Sequence, residues 1–225
     1  MPEAVNSTAA EIAHFNQLAS RWWDPDGELR TLHDLNPVRL EWIDAVAGLA
    51  GRRVVDVGCG GGLLAEAMAR RGAQVTGIDM AGDALAIARL HLQEEADLVI
   101  DYQQTTAEEL AQRLPGTFEV VTCMELLEHV PDPASLVRAC ARLATPGGSV
   151  LFSTLNRSAR AFASAIVGAE YLTGLIPRGT HRYEQFIRPS ELDAWGRQSG
   201  MSLKSLRGSS YNPASRVFAL SETPR

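Results

Sequence analysis

The residues with the clearest chemical potential are glycines at the end of a short apolar run. Val54, Val55 and Val57 favour a β-strand, and residues 58–62 read Gly-Cys-Gly-Gly-Gly. Glycine adopts positive φ without strain and has no Cβ, so a ligand can approach the main chain of such a loop closely. A predicted helix, Leu63–Arg71, follows at once. This pattern is typical of a site for a nucleoside-containing cofactor.

Two carboxylates flank the loop, and they bear on which cofactor it binds. Asp79 follows the first glycines by about 20 residues, where such folds place an acid for ribose hydroxyls. The spacing Gly60-x-Gly62-x-x-Ala65 fits a dinucleotide fingerprint, so nicotinamide or flavin stays open. Asp56 favours a different ligand, because its charge would repel a pyrophosphate but attract the ammonium and sulfonium groups of S-adenosylmethionine. Asp56 could also serve only to organise the loop.

Glu125, Glu128 and His129 suggest a metal site. In helical geometry their spacing places all three side chains on one face, where they could bind Mg²⁺, Mn²⁺ or Zn²⁺. Pro131 and Pro133 limit such a helix to one turn, and a solvated or capping role is the alternative. From the residues alone the solvated or capping role is favoured over a metal site, because three potential ligands without a fourth are common in charged helices.

Strand and helix patterns alternate from residue 52 to about 155, which predicts an α/β fold with a doubly wound, mostly parallel sheet. We expect one domain over residues 1–225, with residues 1–50 as an N-terminal helical cap. The other predicted strands are Gln74–Ile78, Val99–Gln103, Phe118–Met124 and Ser149–Thr154. The other predicted helices are Ala84–Glu95, Thr106–Arg113 and Pro133 to Leu143, the last with Asp132 as its N-cap.

Ligands of such sheets bind at the carboxyl ends of the strands, so the residues after each strand are the candidates. Backbone amides near Thr106 and Ala107 could contact an adenine edge, and Met124 could pack on its face. Ordinary core packing is the alternative for Met124.

Composition narrows the function classes. The 225 residues carry a net charge of −6 with a pI near 5.4, which disfavours a nucleic-acid partner. Cys59, Cys123 and Cys140 lack metal-ligand spacing and indicate thiols in a reducing compartment. The sequence shows no signal peptide and no apolar run near 20 residues, so we expect a cytoplasmic location.

Motifs along most of the chain resemble those of the ubiquinone-biosynthesis O-methyltransferases. The N-terminal match is a double tryptophan followed by L-H-x-x-N-P-x-R, which ordinary methyltransferases lack. The matching segments are Phe15, Arg21-Trp22-Trp23-Asp24, Leu32-His33, Asn36-Pro37-Val38-Arg39, Asp56–Gly62, Gly77-Ile78-Asp79-Met80, Val121–Glu125, Glu128–Pro133, Phe152–Arg157, Val167–Tyr171, Gly179-Thr180-His181 and Tyr211-Asn212-Pro213.

This resemblance implies S-adenosylmethionine-dependent O-methylation of a polyprenylated phenol or quinol at two steps of one pathway. It also implies a divalent cation at the Glu125, Glu128 and His129 motif. Arg39 would pair with the methionine carboxylate and Asp79 with the ribose. The positions matching the family's cofactor site and its motifs are Arg39, Gly58, Gly60, Asp79, Met80 and Met124.

His181 is the candidate general base. A base close to the acceptor hydroxyl would remove its proton, and a cation there would lower the pKa of that hydroxyl. His181 could instead orient the substrate or be purely structural.

Residues 157–188 are predicted to insert a helical lid. The apolar stretch Ala161–Ile176 is flanked by arginines and is too short to span a bilayer. Such a segment could lie in an anionic membrane interface, at the inner face of the membrane, close to a lipid-tailed substrate. A lid that never meets lipid is the alternative.

The C-terminal part departs from the family pattern. Family members continue past Arg216–Ser221 into one more strand, so the last strand of a seven-stranded sheet is expected to be absent here. Three alternatives stay open: a methyltransferase for another small molecule, a nicotinamide-binding oxidoreductase, and a non-catalytic member of a quinone-biosynthesis complex.

Overall fold

The computed structural model describes residues 6–95, 97–157 and 186–222. Five parallel strands form one sheet with the order β3-β2-β1-β4-β5. Their bounds are β1 Arg53–Val57, β2 Gln74–Asp79, β3 Ile100–Gln104, β4 Phe118–Met124 and β5 Ala144–Ser153. The strand order reverses between β1 and β4, and this switch point is where α/β sheets bind ligands. The predicted doubly wound α/β fold is confirmed.

Helices cover both faces of the sheet. Seven α-helices lie in the described part of the chain: α1 Ala9–Leu18, α2 Arg30–Ala47, α3 Leu63–Arg70, α4 Gly82–Leu92, α5 Ala107–Arg113, α6 Pro133–Leu143 and α7 Pro189–Gln198. One apolar cluster packs Ile43, Met68 and Leu85 of α2, α3 and α4 against the sheet. A second cluster packs Leu110 of α5 and Leu136 of α6 against the other face. Burial on both faces explains the continuous apolar runs of the strands.

The predicted helix ends follow local capping chemistry. Thr106 caps α5 through a capping box with Glu109, and Asp132 caps α6 by accepting a hydrogen bond from the backbone N–H of Ser135 at 2.9 Å. Both helices lie where the sequence placed them, because each cap is a side chain within three residues of the backbone group that it satisfies.

Strand β5 begins earlier than predicted. Ala144 already pairs with Phe118, and Ser149 pairs with Val120 after a shift in register. Residues 145–148, which precede the predicted strand Ser149–Thr154, therefore lie at an irregularity within the observed strand. The chain leaving α6 meets the start of β4 directly, so pairing begins before the glycines rather than after them.

The C-terminal residues form a hairpin of β6, Gly208–Asn212, and β7, Val217–Ser221. In the described residues these strands pair with each other and are not joined to the five-stranded sheet. The hairpin docks on α2 instead. The Tyr211 hydroxyl donates to Asp34 at 2.8 Å, and the Arg216 guanidinium donates to Asp34 and Asp26.

No described helix is both long and apolar enough to cross a bilayer.

Candidate functional site

The glycine loop connects the centre of the sheet to α3. Gly58, Gly60 and Gly62 have φ of 74°, 53° and 90°, a region that favours glycine. The backbone N–H groups of Gly58 and Cys59 both donate to the Ile78 carbonyl, at 2.8 and 3.0 Å. The loop is thus anchored to the end of β2.

The protein itself uses part of the close approach that these glycines permit. A Cβ on Gly58 would lie 2.8 Å from Leu126 Cδ2, and one on Gly60 would lie 2.1 Å from Trp22 Cζ2. The glycines are therefore required for packing against the protein as well as for their backbone conformation.

Asp79 organises the loop from the end of β2. Its Oδ2 accepts a hydrogen bond from the Gly60 N–H at 2.8 Å, and its Oδ1 accepts one from the Ala81 N–H at 2.8 Å. Burial raises the pKa of this carboxyl, although the backbone donors oppose the shift. The carboxylate also lines a cleft at the ends of the strands.

Asp56 lies beneath the loop and is 3% exposed. Its Oδ1 accepts a hydrogen bond from the Thr122 hydroxyl at 2.7 Å. Loss of water raises the pKa of Asp56 to about 6, while Thr122 and the Arg39 charge hold it lower than burial alone would. A positive charge placed above this carboxyl would stabilise its ionised form.

Arg39 projects from α2 toward the end of β4. Its Nη1 lies 2.7 Å from Glu125 Oε2, and its Nε donates to Asn36 Oδ1 at 3.0 Å. The Arg39 side chain is only 11% exposed. A ligand carboxylate that paired with it beside Glu125 would therefore be bound largely out of water.

The cleft itself opens over the carboxyl ends of β1, β2 and β3. Five of the residues predicted for the cofactor line it, namely Gly58, Asp79, Met80, Thr106 and Ala107. Its remaining lining residues are Asn6, Ser7, Glu11, Ile12, Phe15, Val57, Ile78, Ala81, Thr105, Glu108, Leu126, His129, Val130 and Leu136.

The other predicted cofactor residues lie outside that lining. Gly60 lies within the glycine loop, Asp56 lies in β1 just before it, and Arg39 contacts Glu125 at the end of β4. Met124 is 7% exposed and packs in the apolar cluster with Val54. Its contact with a cofactor stays a prediction.

The helical spacing expected of Glu125, Glu128 and His129 is wrong. Glu125 has a positive φ of 49°, and only residues Leu127–His129 form a short 3₁₀-helix. The helical run is short because β4 continues to Met124 and Val130, the residue before Pro131, is extended.

These three side chains have separate partners. Glu125 pairs with Arg39 and accepts from the Ser153 hydroxyl at 2.5 Å, Glu128 accepts from the Thr154 hydroxyl at 2.9 Å, and His129 Nδ1 lies 3.3 Å from Glu11 Oε2. Within the described ranges, no three His, Cys, Asp or Glu side chains are grouped to hold a metal ion. This arrangement does not fit a divalent cation. The metal site stays a prediction, and no chemistry is assigned to it.

Burial and neighbouring charges affect the titration of this segment. Burial raises the pKa of Glu128, although His129 and Thr154 oppose the shift. Burial lowers the pKa of His129, but the carboxylates of Glu11 and Glu128 outweigh this effect and raise that pKa overall.

The predicted general base His181 and most of the predicted insertion lie in 158–185, outside the residues that the structure describes.

The sequence did not identify the N-terminal wall of the cleft. Ile12 and Phe15 of α1, together with Leu126, complete the apolar lining. Phe15 matches a family motif, but that match did not predict which residues Phe15 contacts. The sequence of α1 alone could not show that this helix packs across the ends of the strands.

Comparison with known proteins agrees with this architecture. A family model described as a methyltransferase domain matches residues 31–206. The chain is 57% identical over 215 residues to the ubiquinone biosynthesis O-methyltransferase of Pseudomonas aeruginosa, covering 96% of this chain and 92% of the relative. It is 58% identical over 217 residues to the protein of that name from Azoarcus, covering 96% and 93%.

Solved structures share the fold at low sequence identity. Magnesium protoporphyrin IX methyltransferase from Synechocystis, with bound SAH, superposes with a TM-score of 0.68 at 20% identity and covers 89% of each chain. A SAM-dependent methyltransferase from Thermotoga maritima, a possible histamine N-methyltransferase, gives 0.67 at 17% identity and covers 95% of this chain and 92% of its own.

The fold and the glycine loop therefore define a class I methyltransferase that uses S-adenosylmethionine. Within that class, the chain belongs to the ubiquinone biosynthesis O-methyltransferase family. It is an S-adenosylmethionine-dependent O-methyltransferase, and this family membership does not favour an oxidoreductase.

Proposed function

We propose that this enzyme methylates ring hydroxyls of polyprenylated phenol and quinol intermediates, at two steps of ubiquinone synthesis. The observation that carries the proposal is identity of 57% over 96% of the chain with a ubiquinone biosynthesis O-methyltransferase. The cleft over the carboxyl ends of the parallel strands supports it.

Different described residues would contact different groups of the cofactor. The Asp79 carboxylate would accept hydrogen bonds from ribose hydroxyls. The backbone at Thr106 and Ala107, which lines the cleft, would contact the adenine edge. Arg39 would pair with the methionine carboxylate, and the ionised Asp56 would attract the cationic end. Within the glycine loop, Gly58 lines the cleft and the Gly60 N–H donates to Asp79.

When bound, the cofactor supplies a methyl group on a positively charged sulfur, which is already a strong electrophile. The protein's task is then to align an acceptor oxygen with that methyl group and to exclude competing water. An O–C bond forms as the S–C bond breaks, and the hydroxyl proton must leave. We propose that His181, the candidate base, accepts that proton.

Calorimetry with three ligands tests the cofactor assignment. S-adenosylmethionine and S-adenosylhomocysteine should both bind, whereas NAD should give no heat of binding. Methyl transfer to a short-chain prenylated catechol then tests the acceptor. Binding of NAD without response to the other two ligands would overturn the cofactor assignment. Cofactor binding with transfer only to unprenylated or unrelated acceptors would overturn the substrate assignment.

We also propose that residues 157–188 contact an anionic membrane surface. The basis is compositional: an apolar stretch flanked by Arg157, Arg160, Arg178, Arg182 and Arg188. Co-sedimentation with vesicles containing anionic lipid should exceed that with zwitterionic vesicles, and it should fall with added salt. Deleting residues 161–176 should abolish the difference, and wild-type sedimentation of that variant would refute the membrane role.

A further inference from the structure

The indole of Trp23 contacts the glycine loop from the N-terminal segment. We infer that Trp23 is a positioning residue for cofactor binding, acting through the backbone of Gly61. Its Nε1 donates to the Gly61 carbonyl at 3.0 Å, across 38 positions of sequence. Gly61 lies in the middle of the loop that the cofactor requires.

This hydrogen bond completes the fixing of one peptide unit. The Gly61–Gly62 peptide offers one acceptor, the Gly61 carbonyl, and one donor, the Gly62 N–H. Trp23 binds the acceptor, and the Gly62 N–H donates to the Cys59 carbonyl at 3.0 Å. With both polar groups bound, the peptide plane loses its freedom to rotate. Such a loop is preorganised for its ligand, so less ordering is required on binding.

A second tryptophan closes the loop from another side. A Cβ built on Gly61 would lie 2.3 Å from Trp22 Cγ, so the Trp22 ring packs directly on that residue. Trp22 is 6% exposed. The adjacent tryptophans thus have different roles, with Trp22 packing on the loop and Trp23 bonding to it.

The position of the Trp23 ring is itself fixed. It stacks on His91 of α4 with 3.5 Å between ring centroids and an interplanar angle of 2°. His91 Nδ1 lies 2.9 Å from Oε1 of Glu66, a fully buried carboxylate on α3 that also pairs with Arg70 at 3.0 Å. His33 meets the Trp23 ring edge to face, at 6.3 Å.

The order of contacts therefore runs from the buried Glu66 carboxylate through two stacked rings to the loop backbone. A residue that served packing alone would have no need of the indole N–H. The single hydrogen bond to Gly61 distinguishes positioning of the loop from simple burial, because phenylalanine can fill much of the same space without it.

Trp23→Phe tests the inference, with Trp195→Phe on α7 as the matched control on the opposite face of the sheet. The inference rests on the cofactor binding at the glycine loop. Loss of one hydrogen bond should weaken S-adenosylhomocysteine binding about fivefold. The KM for S-adenosylmethionine should rise by a similar factor, while kcat at saturating cofactor stays near the wild-type value. The control should bind within about twofold of wild type.

The outcomes separate the two proposals. If the wild type does not bind S-adenosylhomocysteine, the cofactor assignment itself fails. If the wild type binds and Trp23→Phe binds equally well, only the positioning role is wrong.

Hydrogen exchange on the folded protein is a second, independent measurement. Peptides spanning residues 58–66 should exchange faster in Trp23→Phe than in wild type, and equal rates would also overturn the role.

Discussion

A buried carboxylate at the centre of the sheet has an electrostatic cost that the ligand-free protein must bear. Among the described residues, Thr122 donates a hydrogen bond to Asp56, and Asp79 and Glu125 lie close enough for their charges to raise its pKa further. Arg39 offsets part of this repulsion. A cationic ligand would offset more, so the residue that destabilises the empty site favours the occupied one.

The first prediction concerns Asp56→Asn. The pKa of Asp56 is about 6 in the folded protein and near 4 in an unfolded chain, so the folded state holds the proton more tightly. The wild type therefore loses stability as pH rises from about 4 to 6, by up to about 3 kcal/mol. Because asparagine does not titrate, the free energy of unfolding of the variant should gain on wild type through that window.

Urea unfolding of the ligand-free proteins at pH 4, 6 and 8 measures this gain, with Asp101→Asn on β3 as an exposed control. A difference between variant and wild type that is the same at all three pH values would contradict the prediction. The same variant should bind S-adenosylmethionine more weakly than wild type at pH 8, since it lacks the attracting charge.

The second prediction concerns His181→Ala. A histidine that accepts the hydroxyl proton must be neutral, so the wild-type rate should rise with pH through about 6.5. The variant should lose that rise, and its kcat should fall by a factor of about 100 or more. Initial rates between pH 5.5 and 8.5 measure both effects, and an unchanged rate and profile would remove His181 from the mechanism.

Among the helices, α5 is capped by a residue that also lines the cleft, so the same residue affects helix stability and the cleft. Thr106 Oγ1 accepts from the Glu109 N–H at 3.1 Å, and the Glu109 carboxylate returns a contact to the Thr106 N–H at 3.3 Å. The capping box therefore fixes the backbone whose amides are expected to contact adenine.

The third prediction follows from this cap. Thr106→Ala should lower the free energy of unfolding by about 1 kcal/mol and weaken S-adenosylhomocysteine binding, because the first turn of α5 loses its cap. Thr106→Ser keeps the hydroxyl and is the matched control. Urea unfolding and calorimetry measure the two effects. Equal stability and affinity of the alanine and serine variants would show that the cap has neither role.

Segments far apart in sequence enclose one ligand cleft. Residues of α1 line it from one side, and the ends of β1, β2 and β3 form its floor. The C-terminal hairpin docks on α2, the helix that carries Arg39. A ligand that binds only the folded protein, where these segments meet, should stabilise the fold.

The fourth prediction is a thermal shift. S-adenosylhomocysteine at about 100 times its Kd should add about 2.7 kcal/mol to the free energy of unfolding. For a chain of this size that corresponds to a rise in Tm of about 5 to 10 °C. Scanning fluorimetry should show this rise with S-adenosylhomocysteine and none with NAD. The reverse pattern would contradict the cofactor assignment.

Much of the fold could be predicted because its signals are local. The apolar runs, the glycines after β1 and the cap residues of α5 and α6 act within a few residues, so their elements lie within a few positions of prediction. The prediction that Glu125, Glu128 and His129 share one helix face was wrong because it took their spacing as helical. Pairing of β4 in the sheet and the positive φ of Glu125 override that local pattern.

The amino-acid sequence by itself determined the family, the alternation of strands and helices, and the glycine loop with its two carboxylates. These depend on residue type and short spacing, which the chain carries before it folds. Only the tertiary structure decided the partners. Arg39 meets Glu125 across 86 positions, and Trp23 meets Gly61 across 38. Such contacts, and the burial that raises the pKa of Asp56, exist only once the packed sheet excludes water and brings distant segments together.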